Sequence, residues 1–161
     1  MIKLRETIEL LAHSGVEFVI VGGVAVSLHG SSYVTFDLDL CYARSADNLR
    51  RLAGALAPLH PRLRDLPEGV PFVWDATTLR LGTNFTLSTD LGDVDLLGEV
   101  AGVGTYDNAR AASLEMRLYG VQCRVLSLDA LISAKRAAGR PKDLLLLPEL
   151  EALREASQRD D

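Results

Sequence analysis

A mixed α/β (α+β) fold, one β-sheet with helices packed on it, is predicted by three features of the chain. Short apolar runs of strand length, at 18–21 and 36–42, alternate with stretches of helical period. Two strand–turn–strand patterns, around Asp90-Leu91-Gly92 and around Gly120, lie between helices without strict βαβ alternation. The 161 residues, 48% apolar, suffice for a single domain with a sizeable core, placed at about 15–150.

The elements follow in order. Residues 2–14 read as a helix with Leu4, Ile8, Leu11 and Ala12 on one stripe, stopped by Gly15. Residues 18–21 form the first strand, 24–30 a short helix and 36–42 the second strand. Ser45 caps a helix to about residue 59, with Asp47 in its first turn favouring the helix dipole. Three prolines and a glycine make 60–71 a loop. Residues 77–81 read as a short helix, 84–89 and 93–97 as paired strands, and 106–112 as another short helix. A hairpin at 114–119 and 122–126 turns on Gly120. Ser127 caps a helix to 138, Gly139 ends it, and Pro141 opens the last helix. The acidic stretch 149–161 reads as a fraying end, with 151–161 as its tail.

Composition excludes some functions. A net charge of -5 argues against wholesale coating of nucleic acid and leaves room for a local basic patch. No apolar run approaches the roughly 20 residues of a membrane span, so no membrane partner is expected. Cys41 and Cys123 fall in strands without zinc-like spacing and read as reduced thiols of a cytoplasmic protein. Strand edges near 114–126 are suited to pairing with a second copy, as a homodimer.

Three stretches carry chemistry. In VIVGGVAVSLHGSSYVTFDLDLCY, Gly22-Gly23 follows an apolar strand, and Asp37 and Asp39 share one strand face. Two carboxylates this close raise each other's pKa, and a divalent cation relieves them. In TLSTDLGDVDLLGEV, Asp93 and Asp95 repeat that geometry. In LSLDALISAKRAAGRPKDLLLLPEL, Lys135, Arg136, Arg140 and Lys142 gather four cations near one helix-to-helix turn, suited to a triphosphate or an RNA backbone. Each motif alone also fits a plainer role: a tight turn, a half-exposed strand face, a solvated cationic surface.

In this order, the three stretches resemble the nucleotidyltransferase superfold, and within it the compact bacterial, AbiEii-like nucleotidyltransferases of toxin–antitoxin type. The resemblance runs from Gly22 to Leu150. It implies an NTP donor, two Mg²⁺ ions held by Asp37 and Asp39, and Asp95 binding the ion beside the acceptor hydroxyl, with Asp93 as the fallback. It places Gly22, Gly23, Ser31, Ser32, Lys135, Arg140 and Lys142 around the nucleotide. An NMP would pass to a hydroxyl of tRNA or protein, with a cognate toxin or antitoxin as partner. Two other readings stand beside it: a catalytically degenerate nucleotide- or metal-binding module acting through a partner protein, and an antibiotic-modifying nucleotidyltransferase. Two positions depart from the pattern: Tyr33 stands where relatives often carry Arg, and Gly23 where many carry Ser.

Overall fold

Strands β1 (Phe18–Val21) and β2 (Asp37–Tyr42) occupy the middle of a seven-stranded sheet in the computed structural model, which describes residues 1–160. The other strands are β3 (Arg62–Leu63), β4 (Phe85–Thr89), β5 (Gly92–Leu97), β8 (Ser113–Leu118) and β9 (Val121–Leu126). Their spatial order is β3-β4-β5-β2-β1-β9-β8. β1 runs antiparallel to β2 and parallel to β9, while β2 runs parallel to β5. β4–β5 and β8–β9 are antiparallel hairpins. A separate ribbon pairs β6 (Glu99–Val100) with β7 (Gly104–Thr105). The mixed sheet predicted from the sequence is therefore the one observed.

Burial explains why the central strands sit where they do. All four residues of β1 are buried, as expected of a strand with both faces covered. In β2 the pattern alternates: Leu38 and Leu40 are fully buried, and Asp37 and Asp39 between them are half-buried on the other face. Helix α1 (Leu4–His13) buries Ile8 and Leu11 and packs on α3 (Ala46–Leu56). Helix α2 (Gly22–Leu28) packs on β2 and against α6 (Leu128–Ala138), which in turn packs against α7 (Pro141–Arg159). Helices α4 (Ala76–Leu81) and α5 (Tyr106–Ala111) complete the set, with α4 against α3 and α5 against β1. No helix among the described residues is long and apolar enough to cross a membrane.

Three expectations change. The stretch 60–71 contains a short strand, β3, because Leu63 and Arg62 find free partners on the edge of β4. Helix α2 begins at Gly22, two residues earlier than predicted, and Phe36 stays outside β2 with 60% of its surface exposed. Residues 151–159, read as a tail, continue α7 as helix; Arg136 to Glu151 at 2.6 Å and Arg154 to Asp129 at 3.2 Å tie that part to α6. Residue 161 lies outside the described residues.

One buried polar side chain joins the two ends of this layout. Asn48, fully buried in α3, accepts from the Glu17 amide at 2.7 Å and donates to the carbonyls of Ala43 at 2.7 Å and Glu17 at 3.1 Å. It thereby fixes the start of β1 to the end of β2. Asn48→Ala leaves these backbone groups without partners, and a loss of about 1–3 kcal/mol in urea denaturation is expected. An unchanged midpoint would show that water replaces the amide at no cost.

Candidate active site

The register of two parallel strands builds the floor of the site. Asp37 lies beside Asp93 and Asp39 beside Asp95, while Leu38 pairs with Val94 and Leu40 with Leu96 on the buried face. Four carboxylates therefore share one face of adjacent strands. Burial, then the negative charges of Asp95 and Asp37, pushes the Asp39 carboxyl up to about 7, with Lys135 pulling the other way. Asp39 and Asp95 face each other closely enough to share a hydrogen bond when one is protonated. Asp95 is also raised, chiefly by burial, against the opposing pull of Arg64.

The glycine pair permits this crowding. Gly22 has φ +63°, and a Cβ there would fall on the Asp39 carboxylate. Asp39 can lie against the β1–α2 turn only because residue 22 has no side chain. At Gly23 a Cβ would lie 2.8 Å from the Thr35 Cβ and 2.9 Å from the Tyr33 ring. The two departures noted in the sequence are thus one arrangement: Tyr33 and Thr35 stand over residue 23 and fill the space a serine would need.

The loop before β2 is held by its own hydroxyls. Ser27 donates to the Tyr33 carbonyl at 2.8 Å, Ser31 Oγ accepts from the Tyr33 amide at 3.0 Å, and the Ser32 amide donates to Glu149 at 3.2 Å. Ser31 and Ser32, predicted to line the nucleotide site, do not line the cavity above the carboxylates; they shape the loop that carries Tyr33 into it. His29 turns away to the Leu126 carbonyl at 2.8 Å and serves packing.

That cavity holds about 290 Å³, and Lys135, Arg140 and Lys142 line it together with Asp37, Asp39 and Asp95. Gly139, left-handed at φ +63°, ends α6 and returns the chain so that Arg140 faces the same space as Lys135. Between the two cations sits a residue the sequence reading missed, Asp143. Its side chain is fully buried and receives Lys135 Nζ at 3.2 Å and Arg140 Nε at 2.6 Å. Burial alone would raise this carboxyl, but Arg140 and Lys135 hold it down at about 2. A signal existed: Asp143 is the third residue of a helix opened by Pro141, where a carboxylate caps the backbone, here the Arg140 N–H at 3.2 Å. Gly22 lines an adjoining, mainly apolar cavity of about 280 Å³ that shares Asp39, Lys135 and Arg140 with the first.

The second missed residue is Arg64, just past β3. Its guanidinium pairs with Asp95, approaches Asp93 at 3.6 Å and donates to the Leu87 carbonyl at 3.1 Å. Among the described residues, no three His, Cys, Asp or Glu side chains converge as a metal-binding set. Among the described residues neither Asp37 nor Asp39 makes an ion pair, which leaves these two carboxylates as the donors for a cation, whereas Asp95 is paired with Arg64.

No family model matches the chain, and no curated protein matches it. Solved structures do. The lincosamide antibiotic adenylyltransferase LnuA, bound to lincomycin, aligns with a TM-score of 0.60 at 14% identity over 93% of this chain and 95% of that one. A putative nucleotidyltransferase from Thermotoga maritima aligns at 0.58 and 16% identity over 99% and 96%. The antibiotic-resistance factor ANT(2'')-Ia aligns at 0.55 and 15% identity over 98% and 90%. The fold is that of the nucleotidyltransferases.

The crowding at Asp39 has a pH signature. Its folded pKa lies above the unfolded value of 3.8, so the native state holds a proton more tightly. Its contribution to stability is complete below about pH 4 and is lost as pH rises through 7. Asp39→Asn keeps the protonated shape without the charge. In the presence of a chelator, it should match wild type near pH 4 and exceed it at pH 8 by about 4 kcal/mol in urea melts. A stability difference that does not change with pH would contradict the assigned crowding.

Proposed function

We propose that this protein is a divalent-cation-dependent nucleotidyltransferase that moves an NMP from an NTP to an acceptor hydroxyl and releases pyrophosphate. The observation that carries this reading is the convergence, on one polar cavity, of Asp37 and Asp39 with Lys135, Arg140 and Lys142. Carboxylates alone would repel a triphosphate and cations alone would bind it without activating it; the two together suit a metal–triphosphate complex. The fold and the order of the motifs support the same class.

In this reading Mg²⁺ on Asp37 and Asp39 supplies charge neutralisation at the reacting phosphate. The chain's own groups do the rest. Lys135 and Arg140, aimed by Asp143, take the outer phosphates, Arg140 through its fork and Lys135 as a point charge. Arg64 occupies Asp95 Oδ1, which leaves Oδ2 to take the acceptor's proton. The acceptor oxygen bonds to the α-phosphorus as the bond to pyrophosphate breaks. The AbiEii-like resemblance favours a tRNA or protein hydroxyl, with a cognate toxin or antitoxin as partner.

A second acceptor class has its own support. LnuA is a lincosamide adenylyltransferase, and the match spans 95% of its chain. A domain of this size is therefore compatible with a small antibiotic acceptor, without a further domain to bind it. The apolar cavity beside Asp39 offers such an acceptor room.

Calorimetric titration of the four NTPs with Mg²⁺ is the test. Wild type should bind at least one NTP, Asp39→Asn none, and Lys135→Ala should bind about 10–100-fold more weakly, the worth of one charge-assisted hydrogen bond. Label from that NTP, offered to tRNA, protein and lincosamide in turn, then names the acceptor. NTP binding without transfer to any of them would leave a binding module; no NTP binding by wild type would reject the proposal.

A further inference from the structure

A guanidinium stands where a second cation would be needed. Arg64 is only 22% exposed and is set by the fold rather than by its own flexibility. Its amide donates to the Thr86 carbonyl at 3.0 Å, and β3 fixes the preceding residues to β4 through Arg62–Ser88 and Leu63–Leu87 pairs. Its side chain then crosses β4, donates to Leu87 at 3.1 Å, and ends on Asp95 with Asp93 at 3.6 Å. Asp37 also lies within its electrostatic reach. The positive charge is thus delivered to Asp93 and Asp95 on β5, whereas Lys135 and Arg140 line the cavity that also holds Asp37 and Asp39.

We propose that Arg64 is the resident cation of Asp95, so that the protein binds a single divalent ion, on Asp37 and Asp39, and the guanidinium replaces a second. This deepens the nucleotidyl-transfer reading and rests on it. An arginine cannot be deprotonated at any working pH, and its fork is already anchored on a carbonyl. A divalent ion at Asp95 would have to displace it from Oδ1 or sit on Oδ2 beside it, and in either place a guanidinium would face that ion. Repulsion and the lost hydrogen bonds both oppose this. One side of the site then keeps its positive charge in the absence of metal, and metal availability controls only the nucleotide side.

Counting bound Mn²⁺ by electron paramagnetic resonance and by calorimetry, without nucleotide, tests the assignment. Wild type should bind one ion, lost in Asp39→Asn. Arg64→Gln, which keeps the length of the side chain without its charge, should bind two, and Arg64→Lys should stay at one. Circular dichroism checks that each variant is folded; Arg64→Lys serves if Arg64→Gln is not, because a second ion in that variant also overturns the proposal. Two ions in wild type, or one ion in folded Arg64→Gln, would overturn it while leaving the nucleotidyl-transfer reading intact. No ion in wild type would also overturn it, and the NTP titration would then decide the nucleotidyl-transfer reading by itself.

Discussion

Parallel pairing of β2 with β5 puts Asp39 beside Asp95, and the rest of the site answers to the repulsion this creates. Neither strand can slip by one residue to relieve it, because the same slip would turn Leu38, Leu40, Val94 and Leu96 out of the core. The hydrophobic face of the sheet therefore holds the carboxylates together against their own charge. Each neighbour can be understood as a response. Gly22 gives Asp39 room, Arg64 neutralises Asp95, and α6 and α7 bring cations to the same cavity.

Compensation of charge extends one layer further out. Lys135 and Arg140 would repel each other if they stood alone over the cavity. Asp143, buried beneath both, holds them at 3.2 and 2.6 Å and leaves one net positive charge for the pair. A phosphate group arriving above them meets cations already oriented, so less side-chain freedom is lost on binding. The same logic applies at the loop before β2. There Ser27 and Ser31 hold Tyr33 in place over Gly23.

The sequence made the frame of this site legible and left its supports hidden. Asp37, Asp39, Asp93 and Asp95 could be paired on paper because strand alternation is a local rule and two Asp-x-Asp strands obey it. Lys135, Arg140 and Lys142 could be grouped because they lie at one turn. Arg64 could not, since its role depends on a two-residue strand inside a proline-rich stretch, whose pairing with β4 is a tertiary event without a sequence period. Asp143 lies within the third motif, but its burial follows from how α6 and α7 pack and has no signature in the sequence of either helix. Ser31 and Ser32 enter the nucleotide set through the resemblance alone; in the structure Ser31 Oγ accepts from the Tyr33 amide and the Ser32 amide donates to Glu149 of α7, neither of which a sequence period announces. The continuation of α7 to Arg159 rests on ion pairs to α6, again invisible to a reading of the tail alone.

The most direct measurement is a crystal structure with a non-hydrolysable NTP analogue and Mn²⁺, whose anomalous signal locates the metal. Mn²⁺ is expected on Asp37 and Asp39, with the triphosphate against Lys135 and Arg140. Metal or triphosphate lodged elsewhere, for instance in the separate cavity lined by Arg44, Tyr106 and Arg110, would contradict it.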